Sequence, residues 1–300
     1  MTVPTPHAAA LAEIPIREDA VEVLGSTTRY WEYGPKDARH TLVIAHGYRG
    51  DHHGLEPVIA LLPDVHIISP DLPGFGVSSA MTEAPHTIAG YGLWLNAFLS
   101  ALGVRGQAII VGHSFGSMVT SHAVADGLPT PGLILINPIS TDPERGAGKF
   151  ITALTRAFYG LARRLPQGMG RALLGNWLIV QFMSQSIATT PDPVLRKWIH
   201  EEHHRYFNGF SDPITVADAF DASLSTEVGK AASRITVPTV MIAGDIDRIT
   251  PVDGQYATVA LFPAEAQAEL VVLPKVGHLI HYEAAEGAAS AIRAFLARLP

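Results

Sequence analysis

The chain has 300 residues, with 47% hydrophobic and 16% charged residues and a formal net charge of −7. That balance excludes a disordered chain, and the acidic surplus argues against nucleic-acid binding, which needs a basic face. There are no cysteines, so disulfides, thiolate zinc sites and a Cys nucleophile are excluded; a reducing, cytoplasmic setting is the expectation.

The N-terminal 15 residues read as a loose Pro/Ala-rich extension with no basic, signal-like start. Val21–Leu24 and Thr28–Tyr33 look like strands of a hairpin turning at Gly25-Ser26. Short apolar runs then alternate with helical patterns. The runs are Thr41–Ala45, Val65–Ser69, Gln107–Val111, Leu133–Ile136, Val240–Ala243 and Glu269–Leu273. They lack in/out alternation, as expected of strands buried on both faces of a parallel sheet. The helices are expected at Leu55–Leu62, Ile88–Leu102, Phe115–Ala125, Asp253–Leu261 and Glu283–Leu299. This order predicts an α/β fold: a doubly wound, mostly parallel sheet of eight strands with an antiparallel hairpin at one edge. From 140 to 213 no strand is expected. That stretch reads as an inserted helical cap, dividing a core of residues 1–139 and 214–300. No stretch reaches the roughly 18 apolar residues of a membrane span.

Gly112-His113-Ser114-Phe115-Gly116 follows an apolar strand and opens a helix. This is the G-x-S-x-G elbow in its strand–turn–helix setting. So tight a turn strains the Ser backbone, and the flanking glycines let neighbouring backbone come close. The serine oxygen is raised at the positive end of a helix. Four more motifs follow strands in turn: His46-Gly47-Tyr48; Asp71-Leu72-Pro73-Gly74-Phe75-Gly76-Val77-Ser78; Gly244-Asp245-Ile246-Asp247-Arg248-Ile249-Thr250-Pro251; and Gly277-His278.

With these five motifs in this order, the chain from about Val21 to Leu299 resembles the capped branch of the α/β-hydrolase superfamily. The resemblance implies a Ser114 nucleophile, a His278 base and Asp247 as triad acid, with the backbone N–H groups of Tyr48 and Phe115 as oxyanion hole. The roles are chemically coherent. An imidazole takes the hydroxyl proton, a carboxylate orients it, and two fixed donors meet the developing O⁻. Asp245 competes for the acid role. The other position some relatives use carries Asn137-Pro138, and an amide supplies no charge. The side chains of His46 and His281 read as structural, as does the Asp71 loop, with Asp71 tying the loop down.

His200-Glu201-Glu202-His203-His204 matches H-E-x-x-H, the zinc-protease helix. No third ligand is evident, and Leu195, Ile199 and Tyr206 form the expected buried stripe of that helix. The motif is therefore set aside; no metal or organic cofactor is implied. The cap carries Phe150, Ile151, Leu154, Phe158, Leu161, Leu173, Leu174, Trp177, Ile179, Phe182 and Met183, with no Lys/Arg cluster to clamp a phosphate or dicarboxylate. A small hydrophobic ester-like substrate is the expected partner, cleaved as a carboxylic ester or lactone through an acyl-enzyme. The same triad serves amide, thioester, carbon–carbon hydrolysis or perhydrolysis, and a slow-turnover ligand receptor stands as the non-enzymatic alternative. No oligomeric state is implied.

Overall fold

A computed structural model describes residues 5–141 and 149–299, with backbone alone for 149–151. Its eight strands are β1 (Ile16–Val23), β2 (Ser26–Tyr33), β3 (Thr41–Ala45), β4 (His66–Pro70), β5 (Ile109–His113), β6 (Leu133–Ile136), β7 (Thr239–Gly244) and β8 (Glu269–Leu273). They form one sheet in the order β1-β2-β4-β3-β5-β6-β7-β8. β1 and β2 pair antiparallel, as do β2 and β4; the other pairings are parallel. The apolar strands β5, β6 and β7 are buried along their whole length. β8, expected to be buried on both faces, is the edge strand and only half-buried.

The hairpin differs from expectation in two ways. β1 begins at Ile16 rather than Val21, and the turn is Leu24-Gly25, with Val23 paired to Ser26. Both turn residues have positive φ, 49° and 72°, as a type I′ hairpin turn requires. Leu rarely adopts such a φ, so the composition gives no hint of it. The extension is also not wholly loose: α1 (Ala8–Ala12) leads into Ile14, which is buried against the core.

Helices cover both faces. α2 (Glu56–Ile59), α12 (Ile280–Glu283) and α13 (Ala285–Leu296) pack on one side, where Val58, Ile292 and Phe295 meet Leu42, Ile44 and Val111. α3 (Ile88–Ala101) and α4 (Phe115–Ala125) pack on the other, with Trp94, Phe98 and Met118 against Val43 and Ile110. Two expected helices are interrupted. The one over Leu55–Leu62 is a 3₁₀ turn, His52–Leu55, followed by α2, and the last helix splits into α12 and α13 at Ala284.

Between β6 and β7 the described chain is helical: α5 (Lys149–Ala162), α6 (Gln167–Leu174), α7 (Trp177–Ile187), α8 (Pro193–Tyr206), α9 (Pro213–Ser223) and α10 (Gly229–Ala232). Two of these starts are written locally. Asp192-Pro193 and Asp212-Pro213 each place an Asp side chain on two free helix N–H groups and a Pro in the first turn. α5 and α6 pack against α9. No helix among the described residues is long and apolar enough to cross a membrane. α11 (Val252–Val259) follows β7.

Candidate active site

The chain runs from β3 to β4 on one side and places β5 on the other, so a crevice opens beyond the ends of β3 and β5. Ser114 lies at that point, with φ 50° and ψ −115°, a conformation outside the regions open to ordinary residues. Its N–H donates to the Ile136 carbonyl (3.0 Å). The two elbow glycines are required by contact. A Cβ on Gly116 would lie 2.0 Å from the Ala45 carbonyl oxygen, and one on Gly112 would lie 2.3 Å from Thr120 Oγ1 and 2.6 Å from the Gly116 carbonyl oxygen. The start of α4 is thereby seated on the end of β3, where the His46-Gly47-Tyr48 turn begins.

That turn closes with Gly50 N–H donating to the Gly47 carbonyl (3.0 Å). A Cβ on Gly47 would come within 3.4 Å of Ser114 Cβ, so the turn abuts the serine. Among the described residues, the backbone N–H groups of Tyr48 and Phe115 have no acceptor. Both residues line the same cavity as Ser114. His46 braces the turn: its Nδ1–H donates to the Gly47 carbonyl and its Nε2 accepts the Leu72 N–H, each at 2.8 Å. Burial holds this imidazole below its ordinary pKa and so in the neutral form that both bonds need. Tyr48 O–H donates to the Val216 carbonyl (2.8 Å), and its ring sits among Phe75, Phe115, Tyr159 and Phe220.

The Ser114 hydroxyl donates to His278 Nε2 at 2.9 Å, and His278 Nδ1–H donates to Asp247 Oδ2 at 2.7 Å. Asp247 also accepts the Ile249 N–H (2.7 Å), the Thr250 N–H (3.0 Å) and the Thr250 hydroxyl. Burial alone would raise its pKa, but the neighbouring His278 and the Thr250 donors outweigh burial and draw it down to about 2. Asp245 points elsewhere and accepts the Val276 N–H at 3.3 Å. Asn137 donates to the Gly277 carbonyl (3.0 Å), next to His278.

The cavity holds about 330 Å³ and is mainly apolar. Its apolar wall comes from Tyr48, Met118, Ile139, Phe220 and Leu224, joined by Met183 and Ile187 of α7 and by Phe207. Most of the large apolar residues singled out for this region lie away from the cavity among the described side chains. Leu154, Leu161, Trp177 and Phe182 are exposed, Phe158, Leu173 and Leu174 pack on the core, and of the residues singled out only Met183 reaches the cavity. Phe150 and Ile151 fall outside the described side chains.

Three histidines to which the motifs assign no chemistry converge here. His113, within the elbow, His281 and His203 all line the cavity and are buried. His113 and His281 meet edge to face at 4.4 Å. Burial first, then the charge of nearby imidazoles, lowers all three; His113 and His203 fall to about 3. They are neutral polar surfaces in an apolar wall.

The buried face of α8 is Trp198, Ile199, Glu202 and His203, whereas Leu195 and Tyr206 are half-buried. The H-E-x-x-H rings are turned toward α7: His200 Nδ1 bonds Ser184 Oγ (2.6 Å) and His204 Nε2 bonds Gln181 Oε1 (2.8 Å). Among the described residues, the one cluster with metal-ligand spacing is Asp51, His52 and His53. There His52 is bonded to Asp71 Oδ1 (2.8 Å) and His53 to Asp51 Oδ1 (3.2 Å), so the ring nitrogens nearest the acids are already engaged.

The Asp71 loop does more than hold itself. Asp71 accepts the His52 N–H and the Val77 N–H at 2.8 Å each. A Cβ on Gly76 (φ 55°) would lie 2.0 Å from this carboxylate. The loop then pairs with the segment after α8, through Gly76 N–H to the Gly209 carbonyl and Ser211 N–H to the Gly74 carbonyl, both 2.9 Å.

Comparison with known proteins agrees with this architecture. Residues 42–291 match the model of the alpha/beta hydrolase family. A pimeloyl-(acyl-carrier protein) methyl ester esterase of Xylella fastidiosa (strain M12) is 24% identical over 275 residues, covering 89% of this chain and 97% of the relative. A non-heme chloroperoxidase of Burkholderia pyrrocinia is 26% identical over 249 residues, covering 78% and 82%. Among solved structures, a thermophilic esterase from Thermogutta terrifontis superposes with a TM-score of 0.74 at 21% identity, covering 94% of this chain and 98% of that one. From its sheet order, its strand–Ser–helix elbow and this match along most of its length, the chain belongs to the alpha/beta hydrolase family.

Proposed function

We propose that the protein is a serine-dependent carboxylic-ester hydrolase acting on small, largely hydrophobic esters or lactones. The observation that carries this reading is the unbroken hydrogen-bonded chain Ser114–His278–Asp247 at the floor of an apolar cavity. Ser114 Oγ attacks the carbonyl carbon while His278 Nε2 takes its proton. The oxyanion is met by the N–H groups of Tyr48 and Phe115. Asp247 keeps the Nδ1–H tautomer and steadies the imidazolium. His278 then protonates the leaving alkoxide. Water, deprotonated by the same nitrogen, attacks the acyl-enzyme and releases the acid and Ser114. Residues 140–213 serve as the cap, with Met183, Ile187, His203 and Phe207 facing the acyl or alcohol part. The methyl ester esterase among the relatives supports ester chemistry over amide, thioester or carbon–carbon cleavage.

The test is hydrolysis of p-nitrophenyl esters of increasing acyl length, with a chelator present, for the wild type beside Ser114→Ala. Chelator-resistant turnover that vanishes in the variant is expected. Full turnover by the variant refutes the mechanism.

A further inference from the structure

Arg49 directly follows the oxyanion residue Tyr48, and the residue is 1% exposed. It occupies the third position of the Gly47–Gly50 turn with φ 58°, where a turn of this kind takes Gly or Asn. A long side chain persists there only if its surroundings hold it. What holds it is the helical insertion. Arg49 Nε and Nη2 donate to the Phe207 carbonyl (3.1 and 2.9 Å). Nη2 also donates to the Leu174 carbonyl (3.1 Å) and to Asn208 Oδ1 (3.2 Å). The rings of Phe207 and Phe210 flank the guanidinium at 5.8 Å.

Among the described residues no carboxylate pairs with this cation. Leu174 is the last residue of α6 and Phe207 the C-cap of α8. Carbonyls at helix C-termini are unsatisfied and carry partial negative charge. The charge of Arg49 is thus balanced by two helix ends of the insertion and by Asn208. Moving those helices away would strand a buried cation, which is costly. The backbone end of the same residue sets the turn that aims the Tyr48 N–H.

Resting on the reading of Tyr48 as an oxyanion donor, we propose that Arg49 is a positioning residue: its guanidinium, seated on the ends of α6 and α8, locks the turn that presents the Tyr48 N–H. The oxyanion hole is then complete only with the insertion docked. Its effect belongs to the transition state, where the oxyanion forms, rather than to substrate binding.

The experiment compares the wild type, Arg49→Gly and Arg49→Lys on p-nitrophenyl butyrate, with inhibition by butaneboronic acid, a tetrahedral oxyanion mimic. Arg49→Gly suits the positive φ and removes only the side chain. Loss of a single oxyanion donor costs about 10²–10³ in kcat, so a misaimed donor should cost ~10–100-fold, with KM within about 3-fold of wild type. Boronate affinity should fall with kcat, and added ethylguanidinium should restore part of both in Arg49→Gly. Arg49→Lys keeps the charge without the fork and should fall between. If Arg49→Gly does not fold, Arg49→Lys decides alone. Folded variants with wild-type kcat overturn the proposal. So does a loss confined to KM with boronate affinity unchanged. Labelling of wild-type Ser114 by a fluorophosphonate is read separately: its failure removes the underlying hydrolase reading, whatever Arg49 does.

Discussion

Mild acid should destabilise this protein well before its carboxylates titrate. His113 and His203 are buried and neutral, each lowered to about 3, whereas an imidazole in the unfolded chain titrates near 6.5. A histidine depressed in the folded state contributes stability that is complete above the unfolded value. That stability is lost as pH falls, because only the unfolded chain takes up the proton. Between pH 7 and pH 5 the unfolded chain gains most of a proton at each site and the folded protein almost none, a loss of ~2 kcal/mol per histidine, or ~4 kcal/mol for the two. The figure is insensitive to the folded value so long as that value stays below about 4. His281 shifts the same way. His53 is raised and acts oppositely. Asp247, at about 2, retains its contribution throughout this window and loses it only in stronger acid. The assay is urea unfolding at pH 7, 6 and 5 for the wild type and His203→Gln. Glutamine does not titrate, so the variant should lose ~2 kcal/mol less between pH 7 and 5, whatever its stability at pH 7. Equal losses in the two proteins refute the reasoning.

Other outcomes follow from single contacts. Asp247→Asn should lower kcat by about 10³–10⁴-fold with little change in KM, read by steady-state kinetics, because an amide favours the wrong imidazole tautomer. Gly116→Ala places a Cβ against the Ala45 carbonyl and should cost about 3 kcal/mol or more, or prevent folding, as measured by thermal melting. Asp71→Asn removes the charge from a fully buried carboxylate bonded to His52 and two backbone N–H groups. A loss of about 3 kcal/mol in urea unfolding is expected.

The alternation of apolar runs with helical patterns was enough to read the sheet, because strands buried on both faces must be apolar throughout. The edge strands are less legible: β1 is mostly exposed or half-buried and begins five residues earlier than its apolar pattern. Ser114, Asp247 and His278 were legible because each follows a strand end with glycines or turn residues that local sterics demand, and the structure brings their side chains into contact. The convergence of His113, His203 and His281 was not legible, since it depends on how α8 lies over the sheet. Nor was the outward turn of Trp177 and Phe182, because an apolar residue count does not say which face of a helix is covered. Arg49 left one trace, a large cation between Gly47 and Gly50 in a turn that favours small residues.

The helical insertion stands on two anchors beside Ser114 and His278. One is Arg49. The other is Glu283, whose carboxylate accepts the N–H and hydroxyl of Thr189, the Thr190 N–H (2.8 Å) and the Gly277 N–H (3.3 Å), joining the α7–α8 link to the residue before His278. In engineering terms the insertion is not a detachable module. A chimera that borrows residues 149–211 from a relative to change its substrate range must carry matching partners at positions 49 and 283. Otherwise, on the proposed mechanism, it inherits a new pocket above a misaligned Ser114–His278 pair.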